Sequence, residues 1–442
     1  MGKLDTLGTA AKQAQAFLES VEWSSFFAEA AFEFKPKIKS PDGYDVYIGD
    51  AAYKTIKPMM ESVYRESQFK RRIDFKDARN FGLRLFGEYL FAQSDAVKDD
   101  KSFKIEFEKA ISARMKSYRV IVPCNLTYPT MDSIEIPFGK ARLINIFRLQ
   151  EVLNSERETL EFGDDQYLWE ETETHYNQFF WFILVEIPEV FDTSLAKNRA
   201  SEVAHHVLNL LHLFISITHS SHWEAGFSIS PIQQTYAIIK ESDSAYTFSK
   251  SRRLIAGDVG IPKSFWKDLL SEDYQYWISI QSECIELFLS STEALPAVDR
   301  ILDAAYWIGD AIREKNLAVR IVKYVFGMER LVLFKKDEKG KSEKFAKRIT
   351  LLLSQKRHVQ EEEYAAVFKT CKAFYKLRSD IAHGFESPLL NDAAFSLYRI
   401  DEVARHATLS LMSLVKDHIK ARDCDERLRA WYLEHVPKLG LP

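Results

Sequence analysis

Helix-breaking residues are scarce in this chain. Sixteen glycines and thirteen prolines among 442 residues leave long uninterrupted stretches, and because these two residues most oppose a helix interior, long helices are the natural expectation. The 46% hydrophobic and 28% charged composition supplies material for large cores and excludes collagen-like and disordered classes. The length suggests two or three domains.

The patterning changes along the chain. From Asp5 to about Ser117 apolar residues recur at helical spacing, as in Ala78, Phe81 and Leu85, with a turn at Ser40-Pro41-Asp42-Gly43. Tyr118 to Tyr128 is rich in β-branched residues, Ile134 and Ile136 alternate with polar neighbours, and Phe138-Gly139 turns the chain into Ala141 to Phe147. Gln178 to Ile187, with Phe179, Trp181, Ile183 and Val185, reads as a buried strand bounded by Pro188. After Thr193, a candidate N-cap, the pattern is helical to the end, broken around Gly257 to Pro262 and near Pro296. The expected fold is mainly α with a small β subdomain. Four regions follow: a helical region over 1–116, a small antiparallel β region over 117–190, a helical middle region over 191–297 and an all-α C-terminal domain over 298–442.

Several classes are disfavoured by the same reading. The longest clean apolar run, Phe179 to Val185, falls far short of the roughly 20 residues that cross a bilayer, so no membrane partner is expected. Cys124, Cys284, Cys371 and Cys424 show no paired spacing, and the N-terminus lacks a basic segment followed by an apolar one, so a cytoplasmic location fits. Gly2 with Thr6 matches a myristoylation pattern and Asn125-Leu126-Thr127 a glycosylation sequon, but patterns this short arise often by chance.

The net charge of -4 hides an uneven distribution. Between Lys335 and Gly384 thirteen Lys and Arg face seven Asp and Glu, a local balance of +6, which leaves -10 for the rest. Lys335, Lys336, Lys339, Lys341, Lys344, Lys347, Arg348, Lys356 and Arg357 are therefore candidates for contacts to an RNA backbone. Gly340-Lys341-Ser342 ends like a P-loop, yet Lys335 stands where that loop needs its first glycine, so a solvated lysine loop is the better reading. No dinucleotide-binding turn or nucleophile elbow is present.

Five of the eleven histidines, His205, His206, His212, His219 and His222, fall in one stretch. On a helix His205 and His212 stand about 10 Å apart, whereas two nitrogens on one zinc lie only about 3 to 4 Å apart. No acidic or thiol ligand except Glu224 stands at useful spacing beside His219 and His222. The stripe Ala204, Val207, Leu208, Leu211 and Ile215 makes this a core helix flanked by histidines, and no metal or other cofactor is expected.

The last constellation is Phe374 to Gly384. Tyr364, Val367, Phe368, Cys371 and Phe374 mark one apolar helix face, and Arg378 is the next residue on that face. Gly384 is a natural C-cap glycine, so His383 sits at the helix end, where the carbonyl dipole favours a cation and Asp380, three residues back, is placed to orient the ring. RNA cleavage without metal needs one group to take the proton of the 2′-hydroxyl, another to protonate the leaving 5′-oxygen and a cation on the phosphorane. His383 and Arg378 supply those types, but five residues place them about 140° apart around the axis, so two copies across a two-fold axis would be needed. A helix–helix ion pair for Arg378 and a surface cap for His383 is the structural alternative.

Arg378-Ser379-Asp380-Ile381-Ala382-His383-Gly384 resembles the Arg-x4-6-His signature of HEPN ribonucleases, in the form of ApeA-like HEPN domains. Val325 to Leu333 ("VFGMERLVL") and Phe345 to Leu353 ("FAKRITLLL") are similar to earlier helices of that group, so the resemblance covers about 120 residues. It implies an all-α bundle of four to five helices, usually homodimeric, with metal-independent endoribonuclease activity. Arg378 and His383 would be the catalytic pair, with Ser379 and Asp380 the polar positions between them. It further implies a toxin of antiphage abortive infection that cuts tRNA or other cellular RNA, restrained by the preceding region and triggered by a phage-derived protein. The alternative is a non-catalytic HEPN-like module that binds RNA or protein and dimerises.

Overall fold

The computed structural model describes residues 6–20, 37–39, 45–66, 72–91, 97, 99–127, 132–157, 166–190, 193–215, 217–230, 232–240, 246–254, 261, 264–290, 293–355, 359–385 and 397–441. These residues are mainly helical with a small antiparallel sheet. The chain divides into two compact units, Met1–Tyr118 with Ile187–Asn198, and Arg119–Glu186 with Arg199–Pro442. The chain thus passes from one unit to the other near residues 118, 186 and 198.

The first unit holds α1 (Thr6–Ser20), the strands β1 (Lys37–Lys39) and β2 (Asp45–Tyr47), and the helices α2 (Asp50–Glu66), α3 (Phe75–Leu90) and α4 (Asp100–Ser112). Leu7, Ala10, Ala14, Ile56, Phe86 and Phe107, spaced along those helices, form its core. A capping box between Asp99 and Ser102 starts α4, and the Asp100 carboxylate accepts from the Thr6 and Leu7 amides at 3.0 and 2.8 Å, seating the start of α1. The turn expected at Ser40 to Gly43 lies outside the described residues.

The second unit opens on the sheet. β3 (Lys116–Asn125), β4 (Glu135–Phe138), β5 (Ala141–Asn145), β6 (Trp181–Val190) and β7 (Glu224–Ala225) lie in the order β4-β5-β6-β3-β7. Gly139, at φ +63, makes the β4–β5 turn, and a Cβ there would stand 2.5 Å from the Ser282 carbonyl. Trp181 to Val185 are all buried, as a near-continuous apolar strand requires. Asn125 and Thr127 are buried too, so the sequon is not a surface acceptor. Helices α5 (Ile146–Arg157) and α6 (Gln166–Tyr176) accompany the sheet, with Leu149, Phe179 and Phe182 in a shared core.

Beyond the sheet come α7 (Thr193–Leu211), the single turn α8 (Ile217–Ser220), α9 (Phe265–Asp268) and α10 (Glu272–Ser290). The expectation of helix from Thr193 to the end needs correction. β8 (Ile232–Lys240) and β9 (Tyr246–Leu254) form an antiparallel hairpin with register Ile232↔Leu254 to Lys240↔Tyr246, and β7 joins the main sheet. Thr235, Tyr236, Ile238, Ile239, Thr247 and Phe248 are residues that fit a pleated surface better than a helix.

The C-terminal helices are α11 (Pro296–Arg313), α12 (Leu317–Val332), α13 (Lys341–Gln355), α14 (Tyr364–Ala382), α15 (Leu397–Val415) and α16 (Cys424–His435). Pro296 occupies the first turn of α11, where its missing N–H is harmless, and Asn316 caps α12 by accepting from the Val319 amide at 3.0 Å. α11 packs along α12, α13 along α14, and α15 against α11, α12 and α13. Gly327 lets the first pair approach, since a Cβ there would lie 3.2 Å from the Ala304 carbonyl. The buried Asp401 of α15 ties this bundle to the segment after α7, accepting from Tyr324 Oη at 3.0 Å, Arg405 Nε at 3.1 Å and the Ile217 amide at 3.5 Å. Burial lifts its carboxyl above the usual range, although Arg405 and the Tyr324 hydroxyl act against that.

Candidate active site at the end of helix α14

Val367, Phe368, Cys371 and Phe374 bury one face of α14, and Arg378, four residues beyond Phe374, continues that face towards the bundle. Its side chain is 23% exposed. Nη2 donates to Glu329 Oε2 of α12 at 3.3 Å, and the guanidinium lies 4.8 Å from the Phe326 ring and 5.9 Å from the Tyr375 ring. Arg378 Nε is buried with no acceptor among the described residues.

Glu329 is a residue the sequence reading passed over. It lies four residues after the buried Val325 and three before the buried Val332, so it too sits on an apolar stripe. An acid and a base on the apolar faces of two neighbouring helices are a signal that they pair. Burial raises the Glu329 carboxyl above its ordinary value, and the Arg378 charge, the Tyr375 hydroxyl and the Lys341 charge oppose this without overcoming it. Tyr375 is raised as well, by burial and by the Glu329 charge.

His383 is the C-cap of α14, its amide donating to the Ser379 carbonyl at 2.9 Å. Gly384 at φ +75 donates to the Ile381 carbonyl at 3.1 Å and Phe385 to the Asp380 carbonyl at 2.8 Å, which completes a Schellman motif. The His383 ring is exposed, and its one ring neighbour among the described residues is Phe385, with centroids 6.1 Å apart. Ser379 and Asp380 are half-buried. The expectation that Asp380 orients the ring is not met: its carboxylate shares no hydrogen bond with His383 among the described residues. One copy therefore presents a tethered guanidinium and, five residues on, a free imidazole.

The basic segment separates into three groups. Lys335, Lys336, Lys339 and Lys341 are exposed and form no ion pair among the described residues. Lys341 is near enough to Glu329 for its charge to act on that carboxyl, which brings the start of α13 to the Arg378 end of α14. Lys344 pairs with Asp337 at 3.4 Å and Lys347 with Glu343 at 2.6 Å. Arg348 corrects the reading, because it is buried: Nη1 donates to the Val332 carbonyl at 2.6 Å and to Asp337 Oδ2 at 2.5 Å, and Nη2 reaches Asp337 Oδ1 at 3.2 Å. It holds the lysine loop down and does not face a nucleic acid. Lys356 and Arg357 lie outside the described residues. A cavity of about 270 Å³ between α13 and α16 includes Lys344, Lys347, Tyr432 and Leu433 in its wall, and a second of about 410 Å³ on the other side of Leu433 includes Lys335, Lys336, Arg330 and Arg429.

The histidine stretch is dispersed. His205 Nδ1 lies 2.7 Å from the Ser201 carbonyl, His206 packs edge-on against Phe288, and the buried His212 lies 3.3 Å from Arg313 Nη1 and stacks on Trp223. Burial, then the neighbouring His205, pulls His206 down to about 4. These rings serve packing and internal hydrogen bonding, and no group of three His, Cys, Asp or Glu placed to hold a metal occurs among the described residues. All four cysteines are free and buried, and no helix among the described residues is long and apolar enough to cross a membrane. In comparisons with known proteins, no family model, no curated protein and no solved structure matches the chain.

Proposed function

We propose that the chain is a metal-independent endoribonuclease of the HEPN type, which works as a cytoplasmic homodimer and cuts cellular RNA, tRNA foremost, as a toxin of antiphage abortive infection. The observation that carries this reading is the exposed imidazole of His383 at the end of the helix that bears Arg378. Two copies facing each other place two imidazoles and two guanidiniums around one phosphate. The 2′-oxygen attacks phosphorus and the bond to the 5′-oxygen breaks. One imidazole takes the 2′-hydroxyl proton, and the other gives a proton to the departing oxygen, leaving a cyclic phosphate and a 5′-hydroxyl. Arg378, released from Glu329, holds two phosphate oxygens through its planar fork and offsets the charge of the phosphorane. The region before residue 298 restrains this centre until a phage-derived protein engages it.

A second reading has one observation in its favour, the Arg378–Glu329 ion pair. If that pair is permanent, the bundle is a non-catalytic module that binds RNA or protein. Incubation of the purified chain with total tRNA in EDTA separates the two. The nuclease yields new 5′-hydroxyl ends that disappear in His383→Ala and in Arg378→Ala, together with the toxicity of expression. Salt-sensitive binding without scission, or unchanged toxicity in both variants, refutes it.

A further inference from the structure

Phe385 is 79% exposed, the largest exposure among the bulky apolar side chains described. A Schellman motif ordinarily closes with an apolar contact between the residue after the glycine and the helix positions three or four before the cap. Here those positions are Asp380 and Ser379, both polar, so Phe385 has nothing to pack on within its own helix. Its backbone is nevertheless held, since its amide donates to the Asp380 carbonyl at 2.8 Å. The result is an aromatic ring on a fixed mount in solvent, 6.1 Å from the His383 ring.

We infer that Phe385 is a stacking platform for an unpaired RNA base next to the phosphate at His383. The inference rests on the endoribonuclease reading for its placement of the phosphate. Paired bases already stack on one another inside a duplex and offer only their edges, whereas a splayed base presents a whole face to a protein ring. The exposed lysines Lys335, Lys336, Lys339 and Lys341 supply the phosphate attraction that carries no sequence information. Phe385 supplies the selection of unpaired over paired strands.

The test titrates the full-length His383→Ala chain with a short oligoribonucleotide carrying 2-aminopurine, single-stranded or annealed to its complement. Binding of the single strand quenches the fluorescence. Adding Phe385→Ala lowers single-strand affinity about 5- to 150-fold, as loss of one base-stacking contact does, and removes the quench. Phe385→Trp restores both, and duplex binding is the same in all three. Equal single-strand affinity with and without the Phe385 ring overturns the inference, as does an equal loss on the duplex. Conversion of a dimer to a monomer by Phe385→Ala in sedimentation also overturns it, because the ring would then be a subunit contact. Cleavage assayed in parallel with His383 intact separates the two proposals. If the chain cuts RNA and Phe385→Ala cuts it equally well, the stacking site alone fails. If stacking depends on Phe385 but no strand is cut, the nuclease reading alone fails.

Discussion

Replacing Arg348 by methionine strands a carboxylate. Arg348 is 4% exposed and Asp337 1%, and the pair is joined by two bonds of 2.5 and 3.2 Å. The guanidinium also lies 5.2 Å from the Phe334 ring and 5.3 Å from the Tyr432 ring. Burial by itself would raise the Asp337 carboxyl, yet the Arg348 bonds, the Phe334 amide and the Arg348 and Lys344 charges together hold it below its usual range. Lys344, 3.4 Å away and partly in solvent, is a weak substitute. Removing one member of a buried pair costs about 3–5 kcal/mol, whereas exchanging both for apolar side chains of like volume is close to neutral. Arg348→Met should therefore lose about 3–5 kcal/mol in urea unfolding of the full chain, and Arg348→Met with Asp337→Leu should regain most of it. Affinity for single-stranded RNA, measured below the transition, should not change. A loss under about 1 kcal/mol, a double variant whose losses simply add, or a fall in RNA affinity without loss of stability would refute the buried bridge and return Arg348 to the nucleic-acid surface.

Three further outcomes can be checked. His206 has a folded pKa of about 4 against about 6.5 unfolded, so the unfolded chain binds the extra proton between those values. Its contribution is complete above about pH 6.5 and falls by about 3 kcal/mol as pH drops through 4, a slope that His206→Phe should flatten in denaturation midpoints. Gly309→Ala drives a Cβ into Asn209 Oδ1, the oxygen that accepts both Arg313 bonds, and should cost about 1–3 kcal/mol by thermal unfolding. Glu329→Gln removes the charge that neutralises Arg378; in the His383→Ala background it should strengthen single-strand binding and steepen its log–log salt slope by about 0.7, and an unchanged slope would show that Arg378 takes no phosphate.

The hairpin turn at Gly139, the buried strand at Trp181 and the helix ends at Pro296 and Gly384 were legible because each depends on local chemistry: a positive φ, a continuous apolar run, a missing N–H. What was not legible depended on a partner distant in sequence. The β8–β9 hairpin is completed by the pairing of its two strands, and the strand preference of its own β-branched and aromatic residues was passed over. Arg348 was read with the lysines around it, although it is three residues beyond Phe345 and four before Leu352, on the buried stripe of α13. A sum of charges along a segment contains no information about which face each one occupies. The same spacing argument, applied to Arg378 but not to Glu329, found one member of that ion pair.

The Asp401 carboxylate has a mechanical consequence. Its three donors come from α12, from α15 and from the start of the short turn at Ile217, while Arg405 also reaches the Leu213 carbonyl at 3.5 Å. Detaching any one donor leaves a buried acceptor short of a partner, so the Leu213 carbonyl and the Ile217 amide are both held to α15. A shift of either group would disturb the same carboxylate that Tyr324 of α12 donates to, and Tyr324 stands less than two turns before Glu329, the acid paired with Arg378.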